Sequence, residues 1–468
     1  MKTQSFKILL ITCLGLLTLS LNAQDITGQW NGILKVQGFQ LRIVFHVTKT
    51  DTGYSSTMES PDQSTRVIPV THTTYENRVI KMQITVAGIE YTGTLQGDSI
   101  AGNFKQSGQT FPMNLLRKEM KKEIVKRPQE PVSPYPYYSE EVKFANVKDS
   151  VTLAGTLTLP RKEGVFPVVL LITGSGAQNR DEEIAGHKPF LVIADYLTRN
   201  GIGVLRLDDR GVGGSTGSFQ NVTTQNFATD IEAGVTYLMG RKEVDKKKIG
   251  LIGHSEGGII APIVAAKMKN IRFIVLLAGT GISGGDLLLL QKAAIQRASG
   301  VKEPDIQKEA TLSKGAFDII NNSTEPDKLK EKLTAYYEKA LTESPDAKPE
   351  GISKEDYITA SVAGLSGTWM QYFIRYNPQP ILKEVKCPVL ALNGSKDLQV
   401  PAKVNLEAIR KGLEKGGNKH VTTHELPGLN HLFQECNTGL PSEYARIEQT
   451  FSPAALKEIS DWISIQVK

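Results

Sequence analysis

The sequence has few cysteines, little excess charge and no long apolar run beyond its first residues. Only three of its 468 residues are cysteines, and Cys13 lies inside the N-terminal apolar run. Cys387 and Cys436 then allow one disulfide and no larger framework. Cys387 opens a predicted strand, whereas Cys436 follows a loop expected beyond the far strand ends. Because a disulfide needs Cα atoms within about 7 Å, we expect two free thiols.

Basic residues exceed acidic residues only slightly. Lys and Arg number 55 against 49 Asp and Glu, which gives a formal net charge of +6 that falls to +4 if Lys2 and Lys7 leave with a cleaved leader. The sequence has no basic block and no basic run interleaved with aromatic residues. Such patches mark nucleic-acid-binding surfaces, so we expect no nucleic-acid partner.

The first residues have the pattern of a secretory signal peptide. Two lysines precede an apolar run from Ile8 to Leu21, and Asn22 and Ala23 form a small-residue exit. A membrane-spanning helix needs about 20 apolar residues, so the run is short for one. We predict a signal peptide over 1–23, export to a periplasm or the extracellular space, and no membrane span in the mature chain. An uncleaved anchor is the alternative.

Residues 24–118 have the pattern of an all-β domain. Short apolar or alternating runs such as "QLRIVFHVT", "RVIKMQITV" and "IEYTGTL" are separated by "DTG", "AG" and "QGD". Runs of this length with turn residues at their joints predict about eight strands in a small barrel or sandwich. Residues 119–139 are charged and rich in proline. This composition is typical of a linker.

Residues 140–468 alternate between strand and helix patterns. "FPVVLLITGSG" is apolar throughout its strand, which indicates burial on both faces, and "IGVLRLD" and "KIGLIG" follow it after helical segments. This alternation predicts an α/β fold whose mostly parallel sheet is flanked by helices. Residues 280–384 have helical patterns without an evident strand. We expect them to form a helical cap inserted over the strand ends.

The stretch from Gly253 to Gly257 places a serine between glycines, after a buried strand and before an apolar helix. A Gly-x-Ser-x-Gly turn in this context is a nucleophile elbow, which needs glycines because the turn is tight and which exposes the serine hydroxyl above the sheet. An ordinary tight turn is the alternative. We predict that Ser255 is a nucleophile.

A serine nucleophile needs a base, and the base needs an acid that orients it. Asp397 follows the apolar strand of "PVLALNGSKD", and His431 lies in "LPGLNHLF" after the last predicted strand. Their order after the serine is the order of this architecture. His424 is the competitor, but strand geometry would hold it on the sheet. We interpret His254 as a packing residue and His187 as a surface histidine.

The tetrahedral intermediate needs hydrogen-bond donors for its oxyanion. We predict that the backbone N–H of Glu256, at the start of the helix, supplies one. The loop after the first buried strand reads Thr173-Gly174-Ser175-Gly176, and we predict the Ser175 N–H as the second donor, with Gly176 as the alternative.

Two further motifs have structural interpretations. "LDDRGVGGSTG" lacks the Lys-Ser/Thr ending of a phosphate-binding P-loop, so we interpret it as a structural loop in which Asp208 or Asp209 pairs with Arg210. "NRDEE", residues 179–183, is either a solvated charged face or a site that holds a substrate amine.

The blocks "ITGSGAQNRDE", "LRLDDRGVGGSTG", "GHSEGG", "NGSKD" and "NHLF" together resemble bacterial α/β-hydrolase esterases of the GHSEGG type, relatives of the serine aminopeptidase-like hydrolases. The resemblance runs from about residue 138 to the C-terminus, apart from the predicted cap. It implies a carboxylesterase for short acyl chains with a triad of Ser255, Asp397 and His431. One departure is Thr173, where relatives commonly have histidine.

We therefore expect an exported serine esterase that acts on a small-molecule ester and needs no metal or organic cofactor. A peptidase that uses the same triad is one alternative, motivated by Glu182 and Glu183 near the oxyanion loop. Binding of an envelope polymer or a partner by the N-terminal β domain is another, motivated by the proline-rich linker.

Overall fold

The computed structural model describes residues 25–36, 39–61, 67–85, 88–106, 109–121, 126–323, 325–348 and 353–468. The predicted signal peptide, 1–23, lies outside these residues. The chain folds into two compact units. The first consists mainly of residues up to 121, and the second mainly of residues from 122 onwards.

The described residues of the first unit form a single ten-stranded sheet, where about eight strands were expected. Its strands are β1 (Gly28–Val36), β2 (Phe39–Thr50), β3 (Gly53–Glu59), β4 (Val67–Pro69), β5 (His72–Glu76), β6 (Val79–Ile84), β7 (Ile89–Gln96), β8 (Ser99–Gln106), β9 (Gln109–Pro112) and β10 (Leu115–Leu116). They lie in the order β4-β3-β2-β1-β10-β8-β7-β6-β5, with β9 paired to β8. Pairs such as β6–β7 and β7–β8 are antiparallel.

Alternation along these strands places apolar side chains on one face. In β7, Tyr91 and Leu95 are buried while Thr92 and Thr94 are more exposed, as the two-residue period of a strand requires. Trp30 is fully buried and its indole N–H donates to the Ile26 carbonyl oxygen at 2.8 Å. The Arg117 guanidinium lies 3.8 Å from the centre of that ring. The core of this unit is therefore aromatic and aliphatic, with the indole donor of Trp30 satisfied.

The second unit contains an eight-stranded sheet. Its strands are β11 (Tyr138–Asn146), β12 (Val151–Leu159), β13 (Phe166–Ile172), β14 (Gly203–Leu207), β15 (Val244–His254), β16 (Ile271–Leu277), β17 (Val389–Gly394) and β18 (Val421–Leu426). They lie in the order β11-β12-β14-β13-β15-β16-β17-β18. The pairs β11–β12 and β12–β14 are antiparallel, and the other five are parallel. The carboxyl ends of the six parallel strands therefore share one edge of the sheet.

Helices cover both faces of this sheet. The α-helices are α1 (Pro189–Arg199), α2 (Thr224–Gly240), α3 (Gly257–Lys267), α4 (Gly284–Ala298), α5 (Glu303–Asn322), α6 (Pro326–Glu343), α7 (Lys354–Leu365), α8 (Thr368–Arg375), α9 (Gln379–Leu382), α10 (Ala402–Lys415) and α11 (Pro453–Gln466). Short 3-10 helices span Pro345–Ala347 and Pro441–Arg446. Val168 and Leu170 of β13 pack in a core shared with α2, α3 and α10, whereas Val169 and Leu171 pack in one shared with α1 and α11. This strand is apolar throughout because both of its faces are buried.

The helices α4 to α9 lie between β16 and β17, and the described residues between these two strands contain no strand. Most of them share a separate apolar core. Its fully buried members include Ala316, Ile320, Leu329 and Leu333. The insertion is thus held together largely by its own packing rather than by the sheet.

The second half of the predicted linker, 119–139, contacts backbone groups of the second unit. Arg127 donates to the carbonyl oxygens of Ile447 at 2.6 Å and Ala445 at 2.8 Å. Gln129 accepts from the Thr450 N–H at 2.6 Å and donates to the Phe451 carbonyl oxygen at 2.7 Å. Composition predicted a linker, and these polar side chains of it satisfy backbone groups within the second unit.

Candidate active site

The elbow around Ser255 joins β15 to α3. Ser255 has a φ of 51°, in the left-handed region that a side chain rarely adopts. A Cβ atom on Gly253 would lie 2.0 Å from the Gly257 carbonyl oxygen, and one on Gly257 would lie 2.2 Å from the Ile172 carbonyl oxygen. Only glycine fits at both positions. The tight turn holds the serine at the sheet edge in a strained conformation, which is typical of functional sites.

His431 and Asp397 are in direct contact. His431 Nδ1 lies 2.8 Å from Asp397 Oδ2, and both residues are buried. Asp397 Oδ1 also accepts from the N–H groups of Gln399 and Val400, each at 2.8 Å. These donors stabilise the carboxylate, which in turn fixes the imidazole with Nδ1 protonated and leaves Nε2 with a lone pair.

The loop that carries His431 is shaped by Asn430. Its side-chain oxygen accepts from the backbone N–H groups of Leu432 at 2.9 Å and Gln434 at 3.0 Å. Asn430 is fully buried, and its amide also donates to the Gln434 side chain at 2.9 Å. A buried asparagine thus replaces the regular backbone bonds that the turn after β18 lacks.

Ser255 and His431 line one cavity of about 360 Å³. In the described part of the chain no hydrogen bond joins the Ser255 hydroxyl to the imidazole. The structure therefore pairs the predicted base and acid directly, and brings the predicted nucleophile to them across a shared cavity. The cavity is also lined by Ser175, Gln178, Glu183, Gln399, Leu432 and Tyr444.

The two predicted oxyanion donors come from the elbow and from the loop after β13. The Glu256 N–H and the Ser175 N–H donate to no backbone or side-chain acceptor among the described residues, and Ser175 lines the cavity. The neighbouring Gly174 N–H is not free, since it donates to Glu182 Oε1 at 2.6 Å. Neither predicted N–H group is therefore used by an acceptor within the described part of the chain.

The loop that contains Ser175 is held from behind by Asp209. This carboxylate accepts from the Thr173 hydroxyl at 2.7 Å and from the Gln178 N–H at 2.9 Å. Burial raises the pKa of Asp209 to about 7. Thr173, the departure from the related sequences, thus uses its hydroxyl to fix this loop.

The Glu256 side chain joins the elbow to the helical insertion. Its carboxylate is buried and accepts from the Thr224 hydroxyl at 2.6 Å and from the Trp369 indole N–H of α8 at 2.8 Å. Burial raises its pKa above the ordinary value, and the two hydrogen bonds oppose that effect. No sequence pattern indicates the partnership with Trp369, which lies 113 residues away.

Two charged residues near the site have different partners from those expected. Arg210 pairs with Asp230 and Asp149, at 2.7 Å each, and not with Asp208 or Asp209. Asp208 pairs instead with Arg180 at 2.7 Å. The interpretation failed because the partners of Arg210 are distant in the chain: Asp230 and Asp149 lie 20 and 61 residues away.

The remaining histidines near the site are kept away from the chemistry. His424 is exposed on β18 and is bonded to Glu458, as its strand position predicted. His187 is fully buried, which corrects its interpretation as a surface residue. Its ring contacts the Tyr444 carbonyl oxygen at 2.8 Å and the Thr450 hydroxyl at 3.1 Å. Burial lowers the pKa of His187 to about 4, so it is neutral.

The free thiols are as predicted: neither Cys387 nor Cys436 forms a disulfide. Over the described ranges, no group of three or more His, Cys, Asp or Glu side chains is arranged to hold a metal ion. Among the helices of those ranges, none combines the length and apolarity needed to cross a membrane.

Comparisons with known proteins give one family, one curated relative and several solved structures. The family model described as BAAT / acyl-CoA thioester hydrolase C terminal matches residues 231–344, which include the elbow. Esterase EstD of Thermotoga maritima is 25% identical over 315 residues, 66% of this chain and 65% of EstD. The chain therefore matches slightly less than two thirds of that relative's length.

The solved structures are more distant in sequence. An esterase of Pyrococcus furiosus is 16% identical with a TM-score of 0.43, covering 75% of this chain and all of that one. A dienelactone hydrolase of Anabaena variabilis is 15% identical with a TM-score of 0.38, covering 71% and 99%.

The family model and the curated relative are consistent with the α/β-hydrolase superfamily. The resemblance drawn from the sequence is thereby confirmed at the level of the superfamily.

Proposed function

We propose that the protein is a serine ester hydrolase in which Ser255 is the nucleophile, His431 the general base and Asp397 its orienting acid. The observation that carries the proposal is the 2.8 Å contact between His431 Nδ1 and Asp397 Oδ2 beside a cavity lined by Ser255. A carboxylate on Nδ1 leaves Nε2 to take the serine proton. The names of the matching family and of EstD support ester or thioester cleavage.

The reaction follows from this arrangement. Ser255 Oγ bonds to the acyl carbon as its proton passes to His431 Nε2, and the carbonyl oxygen becomes an oxyanion held by the N–H groups of Glu256 and Ser175. Collapse breaks the bond to the alcohol oxygen, which takes the proton from Nε2. Water then repeats the two proton transfers at the acyl-enzyme and releases the acid. The groups that act are supplied by the chain itself.

The cavity favours short acyl chains. Its volume is about 360 Å³, near the lower end of small-molecule sites. Leu432 supplies an apolar wall, while Gln178, Gln399 and Tyr444 supply polar groups. We propose acetyl and butyryl esters as substrates and the helices α4 to α9 as a cap over the strand ends.

Replacing the nucleophile tests this function. Ser255→Ala should lower kcat/KM for p-nitrophenyl butyrate by about 10³-fold or more, because acyl transfer to the enzyme is abolished. The matched control is Ser283→Ala at the N-terminus of α4, whose hydroxyl accepts from the Asp286 N–H at 3.3 Å. We expect the control to keep its activity. Wild-type turnover by Ser255→Ala would remove this serine from the mechanism.

A second candidate is cleavage of aminoacyl amides. Glu183 lines the cavity and is exposed, with no ion pair to any described residue, so it is placed to attract a substrate ammonium group. Glu182, the other acid that motivated this alternative, is buried and bonded within the protein. Rates on aminoacyl p-nitroanilides and acyl p-nitrophenyl esters, measured side by side with an acyl thioester, separate the candidates. An absence of amide cleavage would end this one.

We also propose that the mature protein is exported. The proposal rests on the charge, apolar run and small-residue exit of 1–23. N-terminal sequencing of the protein from the extracytoplasmic fraction of its host should begin at Gln24. Recovery of the full-length chain in the cytoplasm would contradict export.

A further inference from the structure

Two buried side chains, Glu182 and His254, connect three loops of the site near Ser255. Glu182 Oε1 accepts from the Gly174 N–H of the oxyanion loop at 2.6 Å and contacts His254 Nδ1 at 2.9 Å. His254 Nε2 contacts the carbonyl oxygen of His431 at 3.0 Å. Glu182 and His254 are 1% and 4% exposed, so these contacts are shielded from bulk water.

Both ring nitrogens of His254 face acceptors. A backbone carbonyl oxygen has no proton to give, so the contact with the His431 oxygen requires a proton on Nε2. Glu182 Oε1 already accepts the Gly174 N–H, which stabilises a carboxylate rather than a carboxylic acid. The contact with Nδ1 then requires a second ring proton. A neutral imidazole carries only one.

We propose that His254 carries both ring protons and forms a buried imidazolium–carboxylate pair with Glu182, and that this pair positions the oxyanion loop and the His431 loop around Ser255. The claim about positioning rests on the proposed esterase function, whereas the claim about protonation does not.

The charges around His254 agree with this assignment. Burial lowers the pKa of His254, but the charge and hydrogen bond of Glu182 raise it more, together with Asp397, so that the pKa lies above its ordinary value. The groups that face the ring are Glu182, the more distant carboxylate of Asp397, and the imidazole of His431, whose ring centre is 4.8 Å away. Phe433 contributes only an aromatic edge at 6.5 Å.

The backbone of Glu182 indicates that this geometry is imposed by its surroundings. Glu182 has a φ of 51°, in the left-handed region that disfavours a side chain. Such a conformation persists where surrounding contacts fix it. Here the carboxylate fixes Gly174, next to the proposed donor Ser175, while the imidazolium fixes the carbonyl of the proposed base. Glu182 and His254 are therefore positioning residues rather than catalytic ones.

Nuclear magnetic resonance tests the protonation claim without an activity assay. The full-length chain has seven histidines, and selective nitrogen-15 labelling of histidine makes each ring visible. At about pH 8.5, roughly two units above the ordinary histidine pKa, one ring should still show two N–H groups. His254→Asn identifies that signal by removing it. The proposal is overturned if every ring has a single proton at this pH.

Glu182→Gln tests the positioning claim. The amide keeps the shape of the side chain, but the neutral His254 that results can satisfy only one of its two acceptors. We expect the doubly protonated signal to disappear, and kcat to fall on the order of 10- to 100-fold with KM nearly unchanged, as misplaced catalytic groups lose rate rather than affinity.

The matched control is Glu59→Gln, which alters a partly exposed Glu–His pair with His46 at 3.1 Å in the first unit. It should leave both the signal and the kinetics unchanged. If Glu182→Gln loses the doubly protonated signal but keeps the wild-type kcat, the positioning claim is refuted while the protonation claim stands. An inactive wild type with the signal present would refute the esterase function instead.

Discussion

The edge of the sheet around Ser255 and the helical insertion α4 to α9 are stabilised in different ways. At the edge, buried polar groups are fixed by several hydrogen bonds each; Asp397 alone accepts three. In the insertion, the buried groups are mainly apolar, and ion pairs such as Lys314–Asp318 and Arg297–Glu303 are exposed. Exposed pairs of this kind contribute little to stability.

This difference separates two tasks in one chain. The buried hydrogen bonds at the sheet edge are directional, so they fix a single arrangement of the side chains, as the chemistry requires. Removing one partner of such a bond leaves the other polar group unsatisfied. Apolar packing depends on volume and tolerates substitutions that conserve it. The two regions are joined where the Trp369 indole donates to Glu256 at 2.8 Å. We expect the edge to set the rate and the insertion to influence which esters are accepted.

The largest effect should come from the base at the edge. His431→Ala removes the group that takes the serine proton, so kcat for p-nitrophenyl butyrate should fall about 10³-fold or more. His424→Ala is the matched control, because His424 lies on the preceding strand and is exposed. We expect the control to retain wild-type kcat. Equal losses of kcat in the two variants, measured by steady-state kinetics, would contradict the comparison.

A smaller effect should appear in the dependence of stability on pH. The pKa of His254 in the folded state is raised above the ordinary value of 6.5. The stability that its protonation contributes is therefore fully present below pH 6.5. This stability is lost as the pH rises from 6.5 through the folded-state pKa. Above about pH 7.5 the wild type should lose stability relative to Glu182→Gln, by at most about 1.4 kcal/mol per pH unit for one proton. Urea unfolding midpoints between about pH 7.5 and 10 measure this difference.

Asp209 titrates before that window. Burial raises its pKa to about 7, so the stability linked to its protonated form is lost as pH rises to that value. A constant difference between wild type and Glu182→Gln across the upper window would show that folded His254 holds no proton beyond the unfolded state there, contrary to the assignment.

The smallest effect should come from the link between the two regions. Trp369→Phe keeps an aromatic ring but removes the N–H donor to Glu256. We expect KM to rise a few-fold for hexanoyl and longer esters and kcat for acetate to stay within about twofold, because one hydrogen bond to a buried carboxylate is lost without touching the triad. A loss of kcat as large as that of His431→Ala would place Trp369 in the catalytic machinery instead.

The sequence indicated those parts of the site that depend on local rules. Ser255 and Asp397 each follow an apolar strand and His431 follows the last strand of the sheet. Because the carboxyl ends of parallel strands meet at one edge, their proximity could be expected. These features depend on a few neighbouring residues and on the topology alone.

Long-range polar partnerships were not predictable. Glu182 and His254 are 72 residues apart, and their contact depends on a left-handed backbone at Glu182. The interpretation of His187 was wrong because its partners lie more than 250 residues away in the chain. The partners of Arg127 and Gln129 in the predicted linker were missed for the same reason, since these side chains bond to backbone groups over 300 residues away. The composition of a segment indicates that it is polar, but not which groups its polar side chains contact in the fold.

Trapping the nucleophile tests the central claim most directly. Diethyl p-nitrophenyl phosphate, which phosphorylates activated serines, should add one diethyl phosphoryl group to the peptide that contains Ser255 and release one equivalent of nitrophenol as activity is lost. His431→Ala should react far more slowly. Complete inactivation with the adduct on another residue, or full activity in protein stoichiometrically modified at Ser255, would contradict the account.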